Sequence, residues 1–503
     1  MHHWLHNRVQ ARSEKSQNLL ALLTGAITVA AYAPLELAAL AVLGMLGLFL
    51  LIPYNQPRRA AWRGFFFGLG LFGTGTSWVV VSIHEFGRSP LPLAVFMTIL
   101  MVAYLALFPA LFAWAMARWQ VNRRPLGFVL LAPAFWILTE WLRGTLFTGF
   151  PWLNMGYSQI DTWLSGYAPV VGIYGLGWLV VLSAALLYVI RQRPLLASLC
   201  LLAIWGSGFI LTGQEWVSPN GKPLRATLLQ GNVSQHEKWQ PQGRARTLDL
   251  YEDLTRQHLD SDLIIWPETA VPAFYDSVAE GYIEDIRTLA RASQTDLLIG
   301  VPIRQPTADP QESRYYNSVV ALGEQLEFYH KQHLVPFGEY VPFGNLLRSI
   351  GGVFNLPMSD FSSGGVQSPL NVAGQQAAIT ICYEIIFAEE VRRNIAEATM
   401  LVNVSNDAWF GRSLAPLQHF EMARMRALES GRPLLRATNT GITAFVDHKG
   451  RVQQRAPAFS VQTLTGMVQP MTGVTPYVRY GNAPVILLVL LLLGAGVWYR
   501  RRK

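Results

Sequence analysis

Only two cysteines occur in the 503-residue chain, Cys200 and Cys382. Cys200 lies inside the apolar run LLASLCLLAIWGSGFIL, a poor place from which to reach Cys382, so no disulfide framework is expected and Cys200 reads as packing. Charge is scarce as well. With 14% charged and 51% hydrophobic residues, the chain is too apolar for an ordinary soluble protein of several domains. None of the ten histidines has a zinc-ligand spacing; His330 and His333 flank Lys331 and read as loop polarity. Heptads, internal repeats and low-complexity tracts are absent.

What is present is a set of long apolar stretches, at about 19–33, 36–53, 64–83, 91–117, 126–142, 167–190, 195–212 and 484–499. Most reach or approach the roughly 20 residues of a spanning helix, although the first is short. The expectation is an α-helical polytopic membrane domain: seven transmembrane helices over 1–212, a polar block over 213–482, and an eighth helix with a basic tail over 483–503. No cleavable signal peptide is expected.

Lysine and arginine near span ends stay on the cytoplasmic side. Arg8, Arg12 and Lys15 mark the head; Arg58, Arg59 and Arg63 the second connection; Arg118, Arg123 and Arg124 the fourth; Arg191 and Arg193 the sixth; and Arg500 to Lys503 the tail. The odd connections between spans carry only Arg88 and Arg143. Both termini are therefore expected in the cytoplasm, with block 213–482 on the opposite face. The formal charge of +8 is largely this topology signal, and no nucleic-acid partner is implied.

The exported block alternates β-rich runs (RATLLQGNV, DLIIWPE, DLLIGVPI, YNSVVALG, AAITICYEIIF, ATMLVNVSND, GITAFVDHKG) with helical stretches such as RARTLDLYEDLTRQHL and YIEDIRTLARAS. Helices packed on sheets follow from that alternation. PTADPQESR, 306–314, reads as a solvated loop.

Three strand-end segments carry reactive side chains. LIIWPET puts Glu268 just past a buried strand and a proline; FYHKQHLVPFGEYVPF supplies Lys331, with Glu339 eight residues on; TICYEIIF supplies Cys382. A thiol nucleophile needs a base, and the oxyanion formed when it attacks an acyl group needs a positive donor. Glutamate, lysine and cysteine meet both needs without histidine. Each segment alone reads more readily as structure than as a site, since free cysteine is among the most buried residue types.

Their joint occurrence, in this order, resembles the nitrilase superfamily of carbon-nitrogen hydrolases, over about 224–470. With seven spans before that block and one after it, the whole chain resembles the membrane-embedded bacterial branch, the apolipoprotein N-acyltransferase family. The resemblance implies an αββα sandwich domain and a ping-pong acyl transfer. Glu268 would be the general base and Cys382 the nucleophile toward the sn-1 ester of a phospholipid, phosphatidylethanolamine foremost. Lys331 and the Tyr383 backbone N–H would hold the oxyanion. The acceptor would be the α-amine of a diacylglyceryl-cysteine apolipoprotein. No cofactor or metal is implied, a monomer is expected, and the site would lie on the periplasmic side of the inner membrane. Glu339, Tyr383, Glu384 and Trp239 would support the triad, with a surface-loop carboxylate as the alternative for Glu339, a satisfied structural anion for Glu384 and simple core packing for Trp239; Asn406 and Asp407, in VSNDAWFG, would border its pocket or only shape a turn.

Both substrates would be lipids, so an apolar access route is expected. Phe274, Leu346, Leu347 and Phe354, set among glycines and prolines, are the candidates, with ordinary packing as the alternative. In the fifth span, Glu140 and Arg143 read as an ion pair closing a helix end or as a headgroup-positioning pair. FGLGLFGTGTSW reads as a helix-packing face. Two other function classes stay open: a tethered hydrolase of soluble amides, and a transporter with a nonenzymatic sensor domain.

Overall fold

The computed structural model describes residues 12–307, 313–340 and 361–501. Leu346, Leu347 and Phe354 lie outside the described residues. The chain divides into two compact units: Met1–Glu215 with Arg412–Glu421 and Arg479–Lys503, and Trp216–Gly411 with Met422–Val478.

The first unit is helical. Among the described residues, four helices are long and apolar enough to cross a membrane, within Leu91–Arg118, Pro125–Arg143, Trp163–Val189 and Pro194–Thr212; a fifth arises if Pro57–Gly75 and Val79–Phe86, bent by 59°, act as one span. The stretches expected at 19–33 and 36–53 fold as shorter helices, Glu14–Thr28 and Ala39–Leu51, and the last apolar helix begins at Ala483. Proline opens Pro57–Gly75, Pro125–Arg143 and Pro194–Thr212, where its missing N–H has no intrahelical acceptor to lose.

Glycine spacing in the Pro57–Gly75 helix sets its packing. A Cβ on Gly64 would stand 2.1 Å from the Pro109 carbonyl oxygen, and one on Gly68 would stand 2.7 Å from Ala106 Cα. Close backbone approach between these helices therefore requires glycine at both places. Arg63 is not in a connection, as the charge pattern suggested, but buried in this helix, with Nη2 2.7 Å from Glu14 Oε2 and 2.9 Å from Gln17 Oε1.

Of the two readings of Glu140 and Arg143, the direct ion pair is not formed. Glu140 Oε1 accepts from the Met155 N–H at 2.8 Å, while Arg143 donates to the carbonyls of Phe150 at 2.7 Å and Trp152 at 2.5 Å and to Asn154 Oδ1 at 2.5 Å. Both side chains are buried, and together they fasten the irregular segment 150–155 to a helix end. Within the same unit, Trp152 Nε1 donates to Gln418 Oε1 at 2.7 Å.

The second unit carries strands β1 (Ser218–Pro219), β2 (Leu224–Gln230), β3 (Leu263–Ile265), β4 (Asp296–Pro306), β5 (Ser313–Leu322), β6 (Leu326–His330), β7 (Leu370–Val372), β8 (Gln375–Ile381), β9 (Met400–Ser405), β10 (Leu434–Thr438), β11 (Ala444–Val446), β12 (Val452–Arg455), β13 (Gln462–Val468) and β14 (Met471–Thr472). One six-stranded sheet has the order β13-β2-β3-β4-β5-β6 and the other β12-β11-β10-β9-β8-β7; β1 and β14 form a separate pair. Each large sheet has three parallel strands at its centre and antiparallel flanks. The sheets pack face to face, β2 meeting β10 and β5 meeting β7 and β8.

Helices Pro241–Arg256 and Glu284–Ala292 cover the first sheet through a core of Tyr251, Leu254, Trp266, Ile286 and Ala290; helix Ala388–Ile395 packs on β8. Strands buried on both faces read as continuous apolar runs, which is why LIIW and MLVNV lack alternation. The parallel strands all point their carboxyl ends to one edge of the sandwich, the usual location of sites in such sheets.

Candidate active site

The glutamate arrives from β3. Trp266 stacks on Tyr251, with ring centroids 4.9 Å apart, and Pro267, lacking an N–H, ends the pairing, so the chain leaves the sheet at Glu268. Thr269 takes φ +50° to complete the turn. The turn lies directly over Gly300 of β4: a Cβ there would stand 2.3 Å from the Pro267 carbonyl oxygen and 2.6 Å from the Thr269 nitrogen.

The lysine follows β6, and its backbone N–H still donates to the Asn317 carbonyl at 2.8 Å. Its buried ammonium lies 2.8 Å from Glu339 Oε1 and 3.9 Å from Glu268 Oε1. Asn317, on β5, joins the two carboxylates, with Nδ2 2.7 Å from Glu268 Oε1 and 3.0 Å from Glu339 Oε1. The other oxygens are held too. Glu339 Oε2 accepts from Val335 N at 2.9 Å, and Glu268 Oε2 accepts from the Asn406 N–H at 2.7 Å.

The cysteine stands at the first residue after β8, at φ +52°. A non-glycine residue there is strained, and the strain produces a sharp turn from strand to helix that displays the side chain. Glu384 holds the turn: Oε2 accepts from the Ile381 N–H at 2.6 Å and the Tyr329 hydroxyl at 3.1 Å, and Oε1 from the N–H groups of Gln332, at 2.5 Å, and His333, at 3.1 Å. One carboxylate thus ties the Cys382 turn to the Lys331 loop.

Electrostatics separate the roles. Burial pushes the Cys382 thiol well up, Glu268 and Asp407 add to the rise, and Lys331 and a hydrogen bond with Ser405 oppose it. The resting group is a thiol. Burial likewise raises the Glu268 carboxyl; Lys331 lowers it, Glu339 raises it, and the bonds from Asn317 and Asn406 lower it. Burial alone would lower the Lys331 ammonium, but Glu339, Glu268 and Cys382 reverse this and hold it protonated. Burial raises Glu384 to about 7, against Lys331 and its three backbone N–H donors. A neutral thiol, a carboxylate base of raised pKa and a fixed cation suit a nucleophile that is deprotonated as it attacks.

Two family models match the chain: apolipoprotein N-acyltransferase N-terminal domain over residues 24–186, and carbon-nitrogen hydrolase over residues 225–477. The apolipoprotein N-acyltransferase of Methylococcus capsulatus is 46% identical across 96% of this chain and 96% of its own. That of Azotobacter vinelandii is 45% identical across 97% and 96%, and that of Nitrosomonas europaea 45% across 95% and 96%. The chain belongs to the apolipoprotein N-acyltransferase family. It is an enzyme, an acyltransferase built on a carbon-nitrogen hydrolase domain and joined to several apolar helices.

Of the residues that the family resemblance singled out, Glu268, Lys331 and Glu339 stand in one hydrogen-bonded group, coupled electrostatically to Cys382, and Glu384 braces it. Tyr383 is buried against Phe387, 5.1 Å between centroids. Trp239 is partly exposed, 5.8 Å from the Lys238 ammonium. Phe274 is half-buried against Tyr315, 5.4 Å between centroids, with Arg304 over its ring.

Asn406 does more than shape a turn, since its N–H binds Glu268. Asp407 forms a fully buried ion pair with Arg436, 3.0 Å apart. Asn317 escaped the sequence reading. Its signal was a polar pair, Asn317 and Ser318, inside the buried run of β5.

Proposed function

We propose that this enzyme transfers an acyl chain from a phospholipid to the N-terminal α-amine of diacylglyceryl-cysteine apolipoproteins, through a thioester on Cys382. The observation that carries this reading is the strained turn at Cys382, opposed by a buried group in which Lys331 lies between Glu268 and Glu339. In the first half-reaction Glu268 takes the thiol proton as sulfur attacks the sn-1 ester carbonyl. Lys331 and the Tyr383 N–H hold the oxyanion, the ester C–O bond breaks, and Glu268 returns the proton to the departing lysophospholipid oxygen. In the second half the lipoprotein amine attacks the thioester, Glu268 removes its proton, and the C–S bond breaks to restore the thiol.

Glu339, Glu384 and Trp239 support the site in this reading, and Phe274 borders the lipid route together with the segment that holds Leu346, Leu347 and Phe354. The enzyme works as a monomer in the bacterial inner membrane. The regions 1–212 and 483–503 supply eight spans, including the short apolar helices, and 213–482 faces the periplasm, as the distribution of basic residues favours. Phosphatidylethanolamine is the expected donor.

Purified protein in detergent, mixed with phosphatidylethanolamine, is expected to gain one acyl mass on the Cys382 peptide, to release lysophospholipid, and to lose the mass when a diacylglyceryl-cysteine peptide is added. Rapid hydrolysis of simple amides, with no lipid-derived thioester, would instead favour a tethered hydrolase.

A further inference from the structure

Lys238 occupies a turn that reads as solvated. In SQHEKWQP its neighbours Ser234, His236, Glu237 and Gln240 are exposed, but Lys238 is 3% exposed. Its Nζ donates to the Thr269 carbonyl at 3.1 Å. Thr269 is the left-handed residue that completes the Glu268 turn, so the bond falls on the backbone beside the carboxylate. Burying an ammonium is costly unless it is paired, and this one has the Thr269 carbonyl and the field of Glu268.

We propose that Lys238 is a positioning residue for acyl transfer, holding the turn that aims the Glu268 carboxylate and adding a second positive charge beside it. This rests on Glu268 being the general base. The charged and titratable groups around Glu268 are Lys331 at 3.9 Å, Glu339 across Asn317, Cys382, and Lys238. The coupling is uneven. Burial lowers Lys238 to about 8 and Glu268 is the charge that opposes this, whereas Glu268 answers chiefly to burial, Lys331, Glu339, Asn317 and Asn406. The backbone bond is therefore the larger contribution of Lys238 and the charge the smaller.

The test measures iodoacetamide alkylation of Cys382 across pH in the full-length protein in detergent, by mass spectrometry of the Cys382 peptide, so that no lipid substrate is assumed. Glu268→Gln is the control: if it alkylates like the wild type, the general-base reading fails whatever Lys238 does. Lys238→Met loses both bond and charge, and its plateau rate should fall about tenfold while its acid limb moves to higher pH. Lys238→Gln keeps an N–H donor without the charge. Its plateau should stay within about threefold of wild type, with the acid limb still displaced upward. Lys238→Arg should restore both readouts. Thermal unfolding of each variant shows that it folds, and if the Met variant does not, the Gln and Arg pair decides. Unchanged plateau and limb in the Met and Gln variants, or a fallen plateau with the wild-type limb in either, would overturn the proposal.

Discussion

The Lys331 ammonium pairs with Glu339, 2.8 Å away, more closely than with Glu268 at 3.9 Å. The cation is thus anchored by one carboxylate while the other keeps a raised pKa and can take a proton. Glu339→Gln should release Lys331 toward Glu268 and slow thioester formation by at least about tenfold. Removal of the Glu339 charge also makes Glu268 easier to ionise, so the acid limb should move to lower pH even as the rate falls. A pH profile of acyl-enzyme formation checks both effects.

In the wild type, burial raises Glu268, so its ionised form is lost as pH falls through a value above the ordinary carboxylate range of about 4.3. The acid limb of thioester formation should lie correspondingly high. Because burial also raises Cys382, no thiolate reserve stands in for the proposed base. Glu268→Gln should therefore lose at least about a hundredfold at neutral pH. Rapid-quench measurement of acyl-enzyme gives the comparison.

Glu384 accepts four hydrogen bonds, two on each oxygen, all from obligate or available donors. An amide would turn its NH2 toward one donor pair whichever way it flipped. Glu384→Gln should cost about 1–3 kcal/mol in stability and slow acylation, because the Cys382 turn and the Lys331 loop lose their shared anchor. Thermal unfolding and acylation rate measured on the same sample check it.

Gly300 has no room for a methyl group beneath the Glu268 turn, since the nearest atoms are backbone rather than movable side chains. Gly300→Ala should displace Glu268 and reduce acylation by about a hundredfold, while lipid binding persists. Binding of a fluorescent phospholipid separates that outcome from unfolding.

Arg436 and Asp407 are both fully buried and 3.0 Å apart. Arg436→Met removes the buried cation facing Asp407 and should destabilise the protein by about 3–5 kcal/mol. The double variant Arg436→Met with Asp407→Asn should recover part of that loss. Thermal unfolding of the single and double variants supplies the comparison.

Much of the second unit was legible because buried parallel strands are written as short apolar runs bounded by proline and glycine. DLIIWPE and ATMLVNVSND contain β3 and β9, and DLLIGVPI covers the first part of β4. β10 (LLRAT) and β13 (QTLTGMV) were missed, the first because Arg436 interrupts an apolar run, the second because polar and apolar residues mix along a half-exposed edge strand. In the first unit, hydropathy located the apolar helices but not their lengths. Residues 36–53 yield a helix only over Ala39–Leu51, because a run's apolarity does not say where its backbone stops being helical.

By itself the sequence determined the class of the chain, its family, and the three segments that bring glutamate, lysine and cysteine to strand ends. These are local properties, set by composition, periodicity and the order of short motifs. The tertiary structure alone decided that Lys331 is anchored by Glu339, that Asn317 bridges the carboxylates of Glu268 and Glu339, and that Lys238 points inward from a polar turn. Such pairings depend on how two sheets stack and which side chains are cut off from water, and neither is encoded in the neighbourhood of any one residue.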